Sequence, residues 1–233
     1  MTLTVQRSLV SDQVFRILCE DVLSGRYEPG ELLPTQRRLA ADLGVNMASV
    51  REAVKRLEQL RLVESRQGAG MRVRDWRADG GLDVIAHVLF RAGGLDSGTL
   101  AAVLEARRFM LAEAARLAAE RRNPAQANRL LELAGRIASE DEAQAAQALD
   151  FAFFSEVAEA AGNVVFVLVI NSIRQLYFDH AELFSAVVAD REELAPLYRR
   201  TARAIDSGRP AAAASAAGRL AELQQRRLEE ALR

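Results

Sequence analysis

"LGVNMASVREAVKRLEQLRLVESRQGAG", Leu43 to Gly70, holds a helix with two unlike faces and, directly after it, a glycine-bearing hairpin. Val50, Ala53, Val54, Leu57 and Leu60 recur at the spacing of one helical side, which predicts a dry face turned to a core. Arg51, Lys55 and Arg56 charge the rest of the helix, and Met47, Ala48 and Ser49 open it. Asn46 is a suitable N-cap for a helix running from Met47 to about Leu60. "LVESRQGAGMRVR" then reads as two short strands around "QGAG", because Val63, Met71 and Val73 alternate with polar residues.

Upstream, Thr35 is positioned to cap "QRRLAADLG", and Gly44 closes that helix. A turn at Gly44–Val45 therefore separates two helices. A first helix is predicted from about Ser8 to Ser24, ending at Gly25, and "YEPGELLPT" is extended because Pro29, Gly30 and Pro34 oppose helix. Three helices and a hairpin in this order describe a winged helix-turn-helix, in which the second helix of the pair enters the DNA major groove. Its cationic residues Arg51, Lys55 and Arg56 are then expected at phosphates or guanine edges, with Asn46, Ala48 and Ser49 allowing close approach. Arg37 and Arg38 would add backbone contacts. Gln67, Gly68 and Gly70 form the wing tip, flanked by Arg66 and Arg72. A single charged residue on a helix is more often merely solvated. The order of elements is far more specific than any one of its arginines.

Charge supports a local basic module. The chain carries a net charge of −1, yet residues 36–74 hold 9 Lys/Arg against 4 Asp/Glu. Half of the 233 residues are apolar, ample for buried cores. The single Cys19 sits among Val14, Ile17, Leu18 and Val22; a lone thiol excludes an intrachain disulfide and fits a reducing, cytoplasmic setting. The sequence shows no signal-peptide pattern and no run long enough to span a bilayer, so no membrane partner is expected. It also lacks a nucleophile elbow, a phosphate-binding glycine loop and histidine-rich metal spacing, so an enzyme is not expected.

"DWRADGG", residues 75–81, reads as a linker between a DNA-binding domain over 1–74 and an all-helical domain over 82–233. Beyond it the pattern predicts helices near 82–92, 97–121, 124–138, 140–161, 164–187, 190–207 and 210–232, and no strand. The expected fold is mainly α, a winged helix-turn-helix followed by a bundle of about seven helices. Bundles place ligand sites in their cores. Polar residues on otherwise apolar helices, Arg107, Asp150, Asn171, Tyr177 and Tyr198, are the candidates for meeting a small effector. Asp150 stands among Leu149, Phe151, Phe153 and Phe154; a solvent-facing carboxylate or a partner for a nearby arginine is an equally good reading. Phe151, Phe154, Phe166, Leu168, Phe178 and Tyr198 would suit an acyl chain, or would form ordinary core.

"GELLPTQRRLAADLGVNMASVREAVKRLEQLRLVESRQGAGMRVR" resembles the DNA-binding module of the GntR family of bacterial transcription regulators. The resemblance implies DNA-facing positions for Arg37, Asn46, Ser49, Arg51, Gln67 and Gly68. It also places Met47 where many members carry an arginine, which alters the operator contact there. It implies a homodimer that reads a pseudo-palindromic double-stranded operator. The helical half is similar to the FadR subgroup, in which an Asp and three His hold a divalent metal. Here Asp150 matches the Asp, while Phe154, Tyr198 and a position near Leu220 stand in the His places. His87 and His180 are the chain's two histidines and match none of them, so neither metal nor other cofactor is expected. "LDFAFFSEVAEAAGNVVFVLVINSIRQLY" is similar to the fatty-acid-responsive members of that subgroup. This implies a fatty acid or acyl-CoA effector that releases DNA, with Phe154 joining the effector residues. Other readings are a small metabolite carboxylate or a bundle that serves only dimerisation.

Overall fold

The computed structural model describes residues 4–66, 68–91 and 94–233. They fold into two compact units, Met1–Thr99 and Leu100–Arg233.

The first unit begins with α1 (Thr4–Leu23), β1 (Leu32–Leu33), α2 (Gln36–Asp42) and α3 (Met47–Gln59). β2 (Val63–Arg66) and β3 (Gly70–Val73) follow as the hairpin. Capping explains why the two short helices start where they do. Thr35 Oγ1 accepts from the Arg38 N–H at 3.3 Å, and Asn46 Oδ1 accepts from the Ser49 N–H at 2.9 Å. Between them Gly44 takes φ +64°, and the Val45 N–H returns to the Ala40 carbonyl. The dry face of α3 (Val50, Ala53, Val54 and Leu57) packs on Val14, Phe15, Leu18 and Val22 of α1. Cys19 is buried in the same core.

In the sheet, ordered β1-β3-β2, Val63 opposes Val73 and Ser65 opposes Met71. The segment expected to be merely extended thus supplies a third strand, with Leu33 opposite Met71.

The segment from 75 to 95 is more ordered than its composition suggested. It forms α4 (Trp76–Asp79), a 3-10 turn (Leu82–Val84), α5 (Ile85–Leu89), and a small ladder of β4 (Phe90–Arg91) with β5 (Gly94–Leu95). That ladder corrects the expectation of no strand beyond the linker at residues 75–81. These residues pack with α1. Val84 joins the first core, the His87 ring meets Phe15 edge-on, and Arg91 pairs with Glu20 at 3.1 Å.

The second unit contains nearly all of α6 (Ser97–Arg121), then α7 (Pro124–Ser139), α8 (Ala143–Ala160), α9 (Val164–Asp179) and α10 (Ala181–Phe184). A 3-10 turn (Ser185–Val188), α11 (Arg191–Asp206) and α12 (Pro210–Ala231) complete it. The single helix expected over 164–187 is therefore broken, because the backbone leaves the helical region at His180. α11 packs against α7 and α12, and α8 against α7 and α9. Their apolar stripes close one core around Phe153, Val157, Tyr198, Ile205 and Leu220. Among the described residues no helix is long and apolar enough to cross a membrane.

Candidate nucleic-acid interface and effector site

Asn46, Met47, Ala48, Arg51 and Lys55 are all exposed, on the first turns and outer side of α3. Arg37 and Arg38 are exposed at the start of α2. Among the described residues the side chains of Arg37, Arg51 and Lys55 have no protein partner. They are cations free to meet phosphate or a base edge. Arg38 is held by Asp42 at 2.9 Å, one turn along. Gly68 takes φ +80° at the tip and Gly70 takes φ +83°, a left-handed region that suits glycine. Gln67 lies outside the described residues.

Two residues expected on this surface are placed otherwise. Ser49 is 3% exposed, and its hydroxyl donates to Asn46 Oδ1, so it completes the cap and does not face outward. Arg56 turns back toward α1. Its guanidinium bonds to Asp12 and lies 3.9 Å from the centre of the Phe15 ring, an ion pair and a cation–π contact that hold it in place. At the wing, Arg66 pairs with Glu64 and Arg72 donates to the Gly30 carbonyl.

A buried polar network occupies the middle of the second unit. Asp150, on α8, is 2% exposed. Its Oδ2 accepts from the Tyr177 hydroxyl at 2.8 Å, and its Oδ1 accepts from the Tyr198 hydroxyl at 2.5 Å and from Gln224 Nε2 at 2.8 Å. Gln224 Oε1 in turn accepts from Arg107 Nη2 at 2.8 Å, and the Arg107 guanidinium lies 5.1 Å from the Phe154 ring centre. Gln147 donates to the Tyr177 carbonyl from below. Burial first, and the Asp150 charge second, push both phenols well above 10, so both stay neutral donors.

Of the six effector candidates, Arg107, Asp150, Phe154, Tyr177 and Tyr198 come together, while Asn171 does not. It is exposed on α9 and accepts from Arg174. Leu168 and Phe178, expected in an apolar pocket, are exposed as well. Gln224 was not expected. The signal lay in the stripe Leu220, Leu223, Leu228, where a fully buried amide interrupts apolar residues. Phe154 and Leu220 offer no ligand atom, and the oxygens of Asp150 already take three donors.

Comparison with known proteins follows the same division. Residues 10–73 match "Bacterial regulatory proteins, gntR family", and residues 102–223 match the FCD domain. The chain is 39% identical over 219 residues to the HTH-type transcriptional regulator Mce2R of Mycobacterium tuberculosis, covering 94% of this chain and 91% of that one. It is 29% identical over 160 residues to the fatty acid metabolism regulator protein of Yersinia pestis, covering 69% and 66%. The solved structure of Lar, described as controlling the Listeria monocytogenes agr system, shares the fold, with a TM-score of 0.58 at 16% identity over 94% of this chain and 96% of that one. The chain belongs to the GntR family of bacterial transcription regulators, with an FCD domain behind its helix-turn-helix, and is not an enzyme.

Proposed function

We propose that the protein is a cytoplasmic homodimeric regulator that binds a pseudo-palindromic operator through α3 and releases it when a small effector enters the helical unit. The carrying observation is the outer side of α3, where Arg51 and Lys55 stand exposed and unpaired above a fully buried inner face. One such helix covers a half-site, so two copies are needed for a palindrome. Val164, Val165 and Leu168 on α9, and Phe109 on α6, leave large apolar side chains exposed, which supports a second copy on those helices. A gel-shift titration against genomic operator candidates, with sedimentation of wild type and Leu168→Glu, tests both parts. Failure to select any sequence would overturn the reader; an unshifted dimer in the variant would overturn the interface.

The proposed effector is a fatty acid or acyl-CoA, supported by the similarity to a fatty acid metabolism regulator and by the aromatic wall of Phe151, Phe153, Phe154 and Tyr177 beside Asp150. By linkage, it weakens DNA binding only as far as it prefers the arrangement that does not bind DNA. A small metabolite carboxylate is the second reading. Arg107 favours it, a half-buried guanidinium whose partners are an amide oxygen and a ring rather than a carboxylate. The site is proposed to work without metal, because one carboxylate already engaged by three donors makes a poor cation cage. Native mass spectrometry of the purified protein discriminates these. A bound acyl species without metal supports the first reading, and a stoichiometric metal ion overturns the metal-free site.

A further inference from the structure

A second polar feature of the helical unit shares no residue with the Asp150 network: Tyr198 is buried, while its neighbour Arg199 on α11 is exposed. Arg199, Arg200 and Arg203 on α11, with Arg209 just before α12, line one groove of about 580 Å³, together with Pro196, Ala204 and Ala212. All four arginines are exposed, and among the described residues none of their guanidiniums has a protein partner. Two other arginines of the unit, by contrast, are neutralised by carboxylates. Arg116 is met by Glu113 and Glu120, and Arg227 by Asp190, Glu193 and Glu230.

The sequence explains how the groove forms. Arg199 and Arg203 are one helical turn apart, so their side chains share a side of α11. Ala204 and Ala212 are too small to fill the space. Arg122 closes the neighbourhood beside Gly208, but it is bound by the Ala119 and Asp206 carbonyls and so keeps its charge unneutralised.

Four unneutralised forks in one concavity repel one another until an anion enters. A single carboxylate satisfies one guanidinium. Phosphate groups offer several oxygens each and match the bidentate geometry of arginine, and the groove has the volume of a nucleotide-sized ligand. We propose that this groove is a binding site for a small polyphosphate group, either free or as the phosphate portion of a nucleotide. The site is independent of the effector reading and of the DNA-binding surface.

The test is calorimetric titration of the full-length protein with sodium tripolyphosphate at about 150 mM salt, where long-range attraction is largely screened. ADP is titrated in a second arm and sulfate in a third. Arg199→Ala/Arg203→Ala is the variant, and both residues are exposed, so its thermal transition should match wild type. Saturable binding below about 1 mM, weakened roughly tenfold or more in the variant, is the expected result. Tighter binding of ADP than of tripolyphosphate would identify the nucleotide as the source; the reverse would identify a free polyphosphate. Three outcomes overturn the proposal: no saturable binding, undiminished binding in the variant, or sulfate binding as tightly. Loss of binding in Arg51→Ala but not in the groove variant would also overturn it, since the anion would then sit on the DNA-binding surface.

Discussion

Gln224 Nε2 donates to Asp150 Oδ1 at 2.8 Å, while Gln224 Oε1 accepts from Arg107 at 2.8 Å, so one buried amide joins a buried carboxylate to a half-buried guanidinium. Asp150 is the common acceptor of this network. Asp150→Ala would leave the Tyr177 and Tyr198 hydroxyls without their acceptor in a dry core and take one of the acceptors from Gln224, at a cost of about 2–4 kcal/mol. The helical unit's thermal transition is expected to fall by roughly 5–15 °C. Asp150→Asn keeps the size and one acceptor oxygen but turns the other oxygen into an NH2 donor, so it should lose less than alanine does. Calorimetric scans of both variants check this, and equal losses would show that the two acceptor oxygens of the carboxylate, rather than filled volume, hold the site.

Arg51 and Arg56 make opposite predictions although both are cationic residues of α3. Arg51→Ala removes an exposed, unpaired cation and should weaken operator binding by roughly tenfold or more, with a shallower dependence on salt. Arg56→Ala breaks the contacts with Asp12 and Phe15, so its main effect should be on the stability of the first unit. Operator affinity corrected for the folded fraction should stay near wild type. Fluorescence anisotropy over a salt series, read beside thermal melts, separates the two. Reversed behaviour would mean that α3 presents its other side to DNA.

That contrast also shows what could be read from the sequence. The dry face of α3, its Asn46 cap and the alternating hairpin are local patterns, and each was legible from neighbouring residues. Arg56 was misplaced because its partner, Asp12, lies 44 residues earlier in the chain. Ser49 is a local case that was still misread: the cap that fixes the helix start also draws the serine hydroxyl inward. In the helical unit, Asp150 and Tyr198 stood out as polar residues on apolar helices. Their junction at Gln224 depends on contacts across 74 and 26 residues, which periodicity does not encode. The break of α9 at His180 was hidden because the apolar run continues through it.

Arg61 takes φ +58°, the left-handed region, directly after the C-cap of α3. The chain turns there through Arg61 N–H to the Glu58 carbonyl and Leu62 N–H to the Leu57 carbonyl. A side chain in this conformation costs about 1–2 kcal/mol, and glycine removes that cost. Against it stand about 0.5–1 kcal/mol of added chain entropy and a weak exposed ion pair to Asp83 at 3.5 Å. Arg61→Gly is therefore expected to stabilise the first unit by about 0.5 kcal/mol, raising its midpoint by roughly 2–4 °C. Arg61→Ala, which loses the ion pair and keeps the Cβ, should give no gain. A gain from alanine instead would assign the effect to charge rather than to backbone.

His87 predicts how the first unit responds to acid. Burial first, and the positive charge of Arg56 second, hold its imidazole below the ordinary value of 6.5, with Asp83 pulling weakly the other way. As pH falls through 6.5, the unfolded chain takes up a proton that the folded unit still refuses. The unfolded state then binds more protons, so stability drops with falling pH until the folded imidazole is also protonated. The loss should begin near pH 6.5 and be absent at pH 8. His87→Gln removes the titrating ring, and its midpoint should change less between pH 7.5 and 5.5 than that of wild type, although the variant starts lower because the edge contact with Phe15 is gone. Thermal melts of the two proteins across that range decide the matter: parallel curves would show that another group, such as a carboxylate in an ion pair, governs the acid response.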